Sequence, residues 1–374
     1  MKRSRTRLLN EPSSSDLFPA AALNLSAAEK GDSIYAAIDL GTNNCRMMVA
    51  MPSRLGFRVV DNFTRIVRLG EGLHTSGMLS SEAMERTLDA LQVCAERLQG
   101  HSLQNMRAVA TEACRRAANG KSFLKRVRKE TGLDIDIISS REEVELALES
   151  CAYFLHGSAY GGTSSRALLF DIGGGSTEIA WIRMDSNKNR QSLIGYISIP
   201  KGVVTLSEQY GDAIFTQSGY AAMVDEITHY LEEFEDVHCI GREISKRNVR
   251  LLGTSGTVTT LASIALGLER YNRAAIDGSL LACERAIGVI RTLVGLGFSG
   301  LKKHPGIGVD RADYILPGCA IFEAIVRTWS IKNVIIADRG LRDGLLSQMM
   351  KPARRPNYYR TPGYKERSKS RKII

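Results

Sequence analysis

Two short stretches carry the residues most able to do chemistry. DLGTNN runs from Asp39 to Asn44, and DIGGGSTE runs from Asp171 to Glu178, the two aspartates lying 132 residues apart. Each stretch follows an apolar run, opens on an aspartate, passes through glycine and supplies side-chain hydroxyls or amides. Glycine lets the backbone turn so that successive N–H groups converge on one point, and such a nest suits phosphate oxygens. Gly41, Gly173, Gly174 and Gly175 are the backbone candidates, with Thr42, Asn43, Ser176 and Thr177 as added donors. Asp39 and Asp171, at the strand ends, could hold Mg²⁺, which prefers carboxylate and water oxygens. Arg46 directly follows the first loop and could clamp a phosphate with two parallel hydrogen bonds.

Both loops lead into a second apolar run rather than a helix. That excludes a Walker A loop, which also needs G-K-[ST], and a Rossmann fingerprint, whose glycines open a helix. A single glycine-rich hairpin could be only a tight turn. Two of them, together with GTSGT at Gly253–Thr257, make a phosphate site the better reading, and add Gly253, Ser255, Gly256 and Thr257 as candidates.

The elements that must position these loops follow from periodicity. Ile34–Leu40 and Cys45–Met51 are too short for helices and read as a β-hairpin, with more strand over Phe57–Leu69. Met84, Leu88, Leu91, Ala95 and Leu98 fall on one face of a helix from Ser80 to Gln99. Met106–Thr111 and Ile135–Ile138 read as strands, with helices at Phe123–Glu130 and from Arg141 to about Leu155. The second half repeats the plan. Ala167–Asp171 and Thr177–Met184 form another hairpin, and Val249–Leu252 a strand entering GTSGT and a helix. Cys283–Val294 and a segment within Val309–Trp329 read as helices, and Val334–Ala337 as a buried strand.

At 374 residues the chain is long for a single core, which predicts two domains. The net charge of +10 belongs to the ends: residues 351–374 hold nine Lys/Arg against Glu366, and residues 1–20 hold four against Glu11 and Asp16. The neutral body gives no argument for nucleic-acid binding. Residues 1–32 read as a disordered leader and 351–374 as a disordered basic tail, whose arginines and tyrosines suit polyanions such as polyphosphate or RNA. Seven scattered cysteines without C-x-x-C imply free thiols in a reducing, cytoplasmic setting with no structural metal. No run approaches the ~18 apolar residues of a membrane helix.

The paired loops, GTSGT and ADRGLRDG at 337–344 resemble the actin/Hsp70/sugar-kinase ATPase superfamily. VATEACRRA at 109–117, IISSREEVELAL at 137–148 and DIGGGSTE are most similar to its exopolyphosphatase/guanosine pentaphosphate phosphohydrolase branch, the Ppx/GppA family. The resemblance spans about 34–350 and implies an α/β fold of two ribonuclease-H-like, actin-like ATPase domains with a cleft between them. Domain I would comprise 33–141 with 338–350 returning to it, and domain II 142–337, the short two-domain form.

The family's chemistry implies metal-assisted attack of water on the terminal phosphate of inorganic polyphosphate, or on the 5′-phosphate of guanosine pentaphosphate. By this resemblance Glu143 is the catalytic carboxylate, Arg115 binds substrate, and Asp171 and Glu178, with Asp39 and Asp338 as strand-end acids, face Mg²⁺. From sequence alone Glu143 has another role open to it, as the N3 residue of a capping box begun by Ser140. Arg339 stands where many relatives carry a small residue, which would narrow a nucleotide site or add a phosphate contact. An ATP-using kinase or ATPase of the same superfamily and a catalytically weak alarmone-binding protein remain as alternatives, and a homodimer is compatible with any of them.

Overall fold

β1 (Ile34–Leu40) is apolar along most of its length because both of its faces are covered. Ala36, Ile38 and Leu40 pack into a core shared with the helix Ser81–Gln99, while Ala37 on the opposite face meets the helix Leu341–Met350. β2 (Asn44–Ser53) returns antiparallel to β1, and β3 (Gly56–Ile66) extends the hairpin. β4 (Leu103–Ala110) lies parallel to β1 on its other side, a pairing that requires a crossover, and the helix Ser81–Gln99 supplies it. β5 (Asp136–Ile137) completes the order β3-β2-β1-β4-β5.

The second sheet contains β6 (Arg166–Ile172), β7 (Thr177–Asp185), β8 (Arg190–Ile199), β9 (Val249–Thr254), β10 (Leu280–Ala282) and β11 (Asn333–Ala337). Its order is β10-β11-β9-β6-β7-β8. Taken from β8 inward, an antiparallel triplet is followed by parallel β9 and β11, the same arrangement as in the first sheet. β10 is an added antiparallel edge. The architecture is two ribonuclease-H-like α/β lobes, and each glycine loop occupies the equivalent turn, between the first two strands of its lobe. This computed structural model describes residues 33–54, 56–156, 164–185 and 190–351. The leader at 1–32 and the tail beyond Lys351 lie outside them.

Helix Ser140–Ser150 and helix Leu341–Met350 form the seam between the lobes. They approach so closely that a Cβ on Gly344 would stand 2.2 Å from the carbonyl oxygen of Leu146. Several elements differ from the sequence reading. The helix expected over 141–155 is two, Ser140–Ser150 and Ala152–His156, interrupted at Cys151. β8 and the 22-residue helix Gln217–His238 were not assigned from sequence. That helix buries Tyr220, Met223, Val224, Ile227, Leu231 and Phe234, a 3.6-residue period, against the helix Ile315–Thr328.

Candidate active site

The two glycine loops meet at the floor of a cleft with a cavity volume of about 310 Å³. In the first, Gly41 N–H donates to the Asn44 carbonyl at 2.9 Å and closes the turn; in the second, Gly173 does the same to Ser176 at 2.9 Å. The remaining carbonyls are held from behind. Gly70 N–H donates to the Thr42 carbonyl, and those of Val67 and Arg68 to Asn43. Val203 and Val204, at the start of the helix Val203–Tyr210, donate to the carbonyls of Gly173 and Gly174 at 3.0 and 2.8 Å. Among the described residues the amides of Thr42, Asn43, Gly174 and Gly175 have no acceptor, and the buried Thr42 Oγ1 and Asn43 Oδ1 have no partner. Buried polar groups are normally satisfied, so this concentration at one place marks where a polar ligand fits.

The sequence reading assigned the glycines to turning the chain. None of Gly41, Gly173, Gly174 and Gly175 adopts a positive φ. Proximity is what excludes a side chain. A Cβ on Gly175 would lie 2.5 Å from Thr42 Oγ1 and 2.9 Å from Glu112 Cγ, and one on Gly174 would lie 3.1 Å from Thr42 Cβ. These glycines allow one loop to touch the other.

Asp39 and Asp171 line the cleft beside the loops, and neither has a side-chain hydrogen bond or ion pair among the described residues. Burial raises the pKa of Asp39 despite the nearby Arg46 and Arg342 guanidinium groups. Burial likewise pushes Asp171 up to about 6, against the pull of Arg46. Glu178 is placed differently. Its Oε1 accepts from Ser176 Oγ at 2.7 Å and Ser198 Oγ at 2.9 Å, and it stands behind the cleft wall, pushed up to about 7 by burial.

Glu143 lines the cleft from the first turn of the helix Ser140–Ser150. The capping box anticipated there is displaced by one residue. Ser139, not Ser140, is the N-cap and accepts from Glu142 N–H, so Glu142 takes N3, and its carboxylate pairs with Arg107 rather than with the cap. Glu143 therefore has no capping duty. Burial raises its pKa well above the usual carboxylate range, and nearby Glu178 adds to this. Arg115 opposes both: its Nη1 donates to Glu143 Oε2 at 3.0 Å and to the Ile138 carbonyl at 2.9 Å, while Nε and Nη2 engage Glu112 Oε2. Expected as a substrate ligand, Arg115 is not among the residues lining the cleft; its guanidinium fixes one oxygen of Glu143.

The remaining candidates divide. Ser255, Gly256 and Thr257 line the cleft; Ser255 holds φ 134°, a region strained for any residue with a side chain, while its Oγ accepts from Val258 N–H. Gly253 sits inside β9, where a Cβ would strike the Phe170 ring at 2.6 Å, and Thr177 donates to the Lys201 carbonyl; neither reaches the cleft. Asp338 lies outside it, bonded to the Tyr271 hydroxyl and paired with Arg273 at 3.3 Å. Arg339 reaches the cleft rim with its guanidinium on Asp277 at 3.0 Å and stacked over Phe154. Sequence reasoning missed Glu112, Asp310, Arg311 and Tyr314, which also line the cleft. Glu112 lies within VATEACRRA and was legible there; the 310–314 turn carries no periodic signal.

The sequence profile of the Ppx/GppA phosphatase family matches residues 48–353. A Haemophilus influenzae protein named "Putative exopolyphosphatase" is 31% identical over 327 residues, covering 84% of this chain and 91% of that protein. An Aeromonas salmonicida guanosine-5′-triphosphate,3′-diphosphate pyrophosphatase is 30% identical over 320 residues, which are 84% of this chain and 58% of that longer protein. The crystal structure of the Aquifex aeolicus Ppx/GppA family member superposes with a TM-score of 0.67 at 26% identity, covering 85% of this chain and 97% of that one. With 306 of its 374 residues inside the profile and two lobes of the same fold, the chain belongs to the Ppx/GppA phosphatase family.

Proposed function

We propose that the chain is a phosphoanhydride hydrolase that releases the terminal phosphate of inorganic polyphosphate or the 5′-phosphate of guanosine pentaphosphate. The observation that carries this reading is the contact between two loops whose unbonded amides belong to one cleft, lined as well by the unpaired Asp39 and Asp171 and by the buried Glu143. The loop amides would bind the terminal phosphoryl oxygens, and Arg46, next to both aspartates, would add a cation. Glu143, held at Oε2 by Arg115, keeps Oε1 free to orient a water and accept its proton. The water oxygen bonds to phosphorus as the bridging P–O bond breaks, and that electron pair leaves with the shortened chain.

The residues present fit Mg²⁺. It binds through one or two carboxylates with waters and substrate oxygens, and Asp39 and Asp171 are cleft carboxylates beside the glycine loops with no partner among the described residues. No three-acid cluster arranged for a metal occurs among the described residues, and Glu178 and Asp338 are already engaged elsewhere. When bound, Mg²⁺ supplies positive charge to the phosphoryl oxygens. The seven free thiols support a cytoplasmic setting, and no described helix is long and apolar enough to cross a membrane.

Phosphate release from polyphosphate, guanosine pentaphosphate and ATP, each with Mg²⁺, tests this reading. Release is expected from one or both of the first two, and Glu143→Gln should lower it roughly 10²–10⁴-fold without unfolding the protein. Near-normal activity of that variant removes Glu143 from the mechanism. Turnover confined to ATP, or tight binding with no turnover, overturns the hydrolase assignment.

A further inference from the structure

We propose that Glu208 is a positioning residue that locks the two glycine loops into a single register; this rests on the hydrolase reading given above. A converging set of backbone N–H dipoles is self-repelling without an anion, so it has to be held from behind. Two separate segments do the holding. In the first lobe, residues 67–70 donate to the carbonyls of Thr42 and Asn43. In the second, Val203 and Val204 donate to Gly173 and Gly174, and Thr205 Oγ1 reaches the Gly175 carbonyl at 3.3 Å. Here Gly202 is packed so tightly that a Cβ would stand 2.5 Å from the Gly174 carbonyl.

These two backing segments are joined by one hydrogen bond among the described residues: Gly72 N–H donates to Glu208 Oε1 at 2.8 Å. Its donor is a glycine with φ 73° and open space around its Cβ position, so conformation rather than crowding requires glycine there. The acceptor stands on the helix Val203–Tyr210, whose first turn grips the second loop. Glu208 thus closes a circuit from loop to backing segment to backing segment to loop. Its other oxygen is buried without a partner. Glu208 itself is half-buried, but that oxygen is shielded from water with no partner among the described residues, which is costly, so the bond to Gly72 is the contact that accounts for its position.

The test compares the full chain with Glu208→Ala, which deletes the acceptor, and Glu208→Gln, which keeps one. Amide hydrogen exchange and steady-state phosphate release from polyphosphate are both measured. In Glu208→Ala, exchange is expected to speed up in 41–44 and 67–72 and also in 173–176 and 203–206. Its kcat should fall about 10–100-fold, the range for a misplaced reacting group, with KM much less affected. Glu208→Gln should restore both readouts to within about threefold of the wild type. Faster exchange confined to 67–72, unchanged kinetics in Glu208→Ala, or a Gln variant as impaired as Ala overturns the proposal. If the wild type releases no phosphate from polyphosphate or guanosine pentaphosphate, the hydrolase reading fails, and exchange in the two loops still decides the latch.

Discussion

The two glycine loops occupy equivalent turns in equivalent lobes, yet they are built differently. In the first, Gly41 has room: a Cβ there meets its nearest neighbour, the Asn44 carbonyl oxygen, at 3.5 Å, an ordinary contact. Its unsatisfied groups among the described residues include side chains, Thr42 Oγ1 and Asn43 Oδ1, beside the amides of the same two residues. In the second, side-chain polarity is used up internally, with Ser176 and Ser198 donating to Glu178, and the glycines are confined by the first loop. The first loop contributes side chains as well as backbone, the second only backbone. The pseudo-symmetry of the fold therefore places two loops together without making their glycines interchangeable.

Substituting the glycines would break or sharpen that comparison most strongly. Gly175→Ala drives a methyl into Thr42 Oγ1 and Glu112, so one loop must retreat by an ångström or so. Displacement of that size costs on the order of 10²-fold in rate. Gly41→Ala, with open space and no positive φ, should stay within about threefold of the wild type, since alanine there asks for no movement. Phosphate-release kinetics on both variants decide the matter. Equal losses would mean that the two loops respond to crowding alike.

The same contrast explains what could be read from sequence. Both loops, both hairpins and the crossover helix were legible because β1 and β6 are apolar runs ended by Asp-x-Gly and the helix 81–99 keeps a clean period. Which acids face the cleft was not legible. Glu178 and Asp171 both flank the glycines, but Asp171 pairs with Glu178 across β6 and β7, and Ser198 on β8 then claims the glutamate. That third strand was unassigned. Asp338 shares its strand-end position with Asp39, but its neighbours Tyr271 and Arg273 come from a segment 65 residues away with no motif to mark it. The cap was misplaced by one residue because Ser139 and Ser140 are adjacent and only φ and ψ separate their roles.

Side-chain substitutions in the two loops should separate function from stability. Thr42→Val keeps the shape of the residue and removes a buried hydroxyl that has no partner among the described residues. Its unfolding free energy should hold or rise by up to about 1 kcal/mol, because an unmet desolvation cost is relieved. Its kcat/KM should fall about 10-fold if that hydroxyl donates to a bound phosphate, the loss of one charge-assisted hydrogen bond. Ser176→Ala should do the opposite to stability, lowering it by about 1 kcal/mol because Glu178 loses a donor inside the wall. Urea unfolding alongside kinetics distinguishes the two. A destabilised Thr42→Val would show that its hydroxyl has a structural partner after all.

The effect furthest from turnover is in the pH dependence of folding. Burial pushes the Glu178 carboxyl from 4.5 to about 7, so the folded chain retains its proton over a range in which the unfolded chain has lost it. Within that range the folded state binds more protons, and stability must fall as pH rises. The contribution is fully present below about pH 4.5 and lost by about pH 7, amounting to on the order of 1–3 kcal/mol. Glu178→Gln, which cannot ionise yet can accept from Ser176 and Ser198, should flatten this slope in metal-free buffer. First-loop Asp39→Asn should flatten the pH dependence as well, because burial raises that carboxyl above its ordinary 3.8 too. Urea midpoints at half-unit pH steps provide the measurement. A slope unchanged in Glu178→Gln would mean that the second loop's glutamate is already ionised when folded.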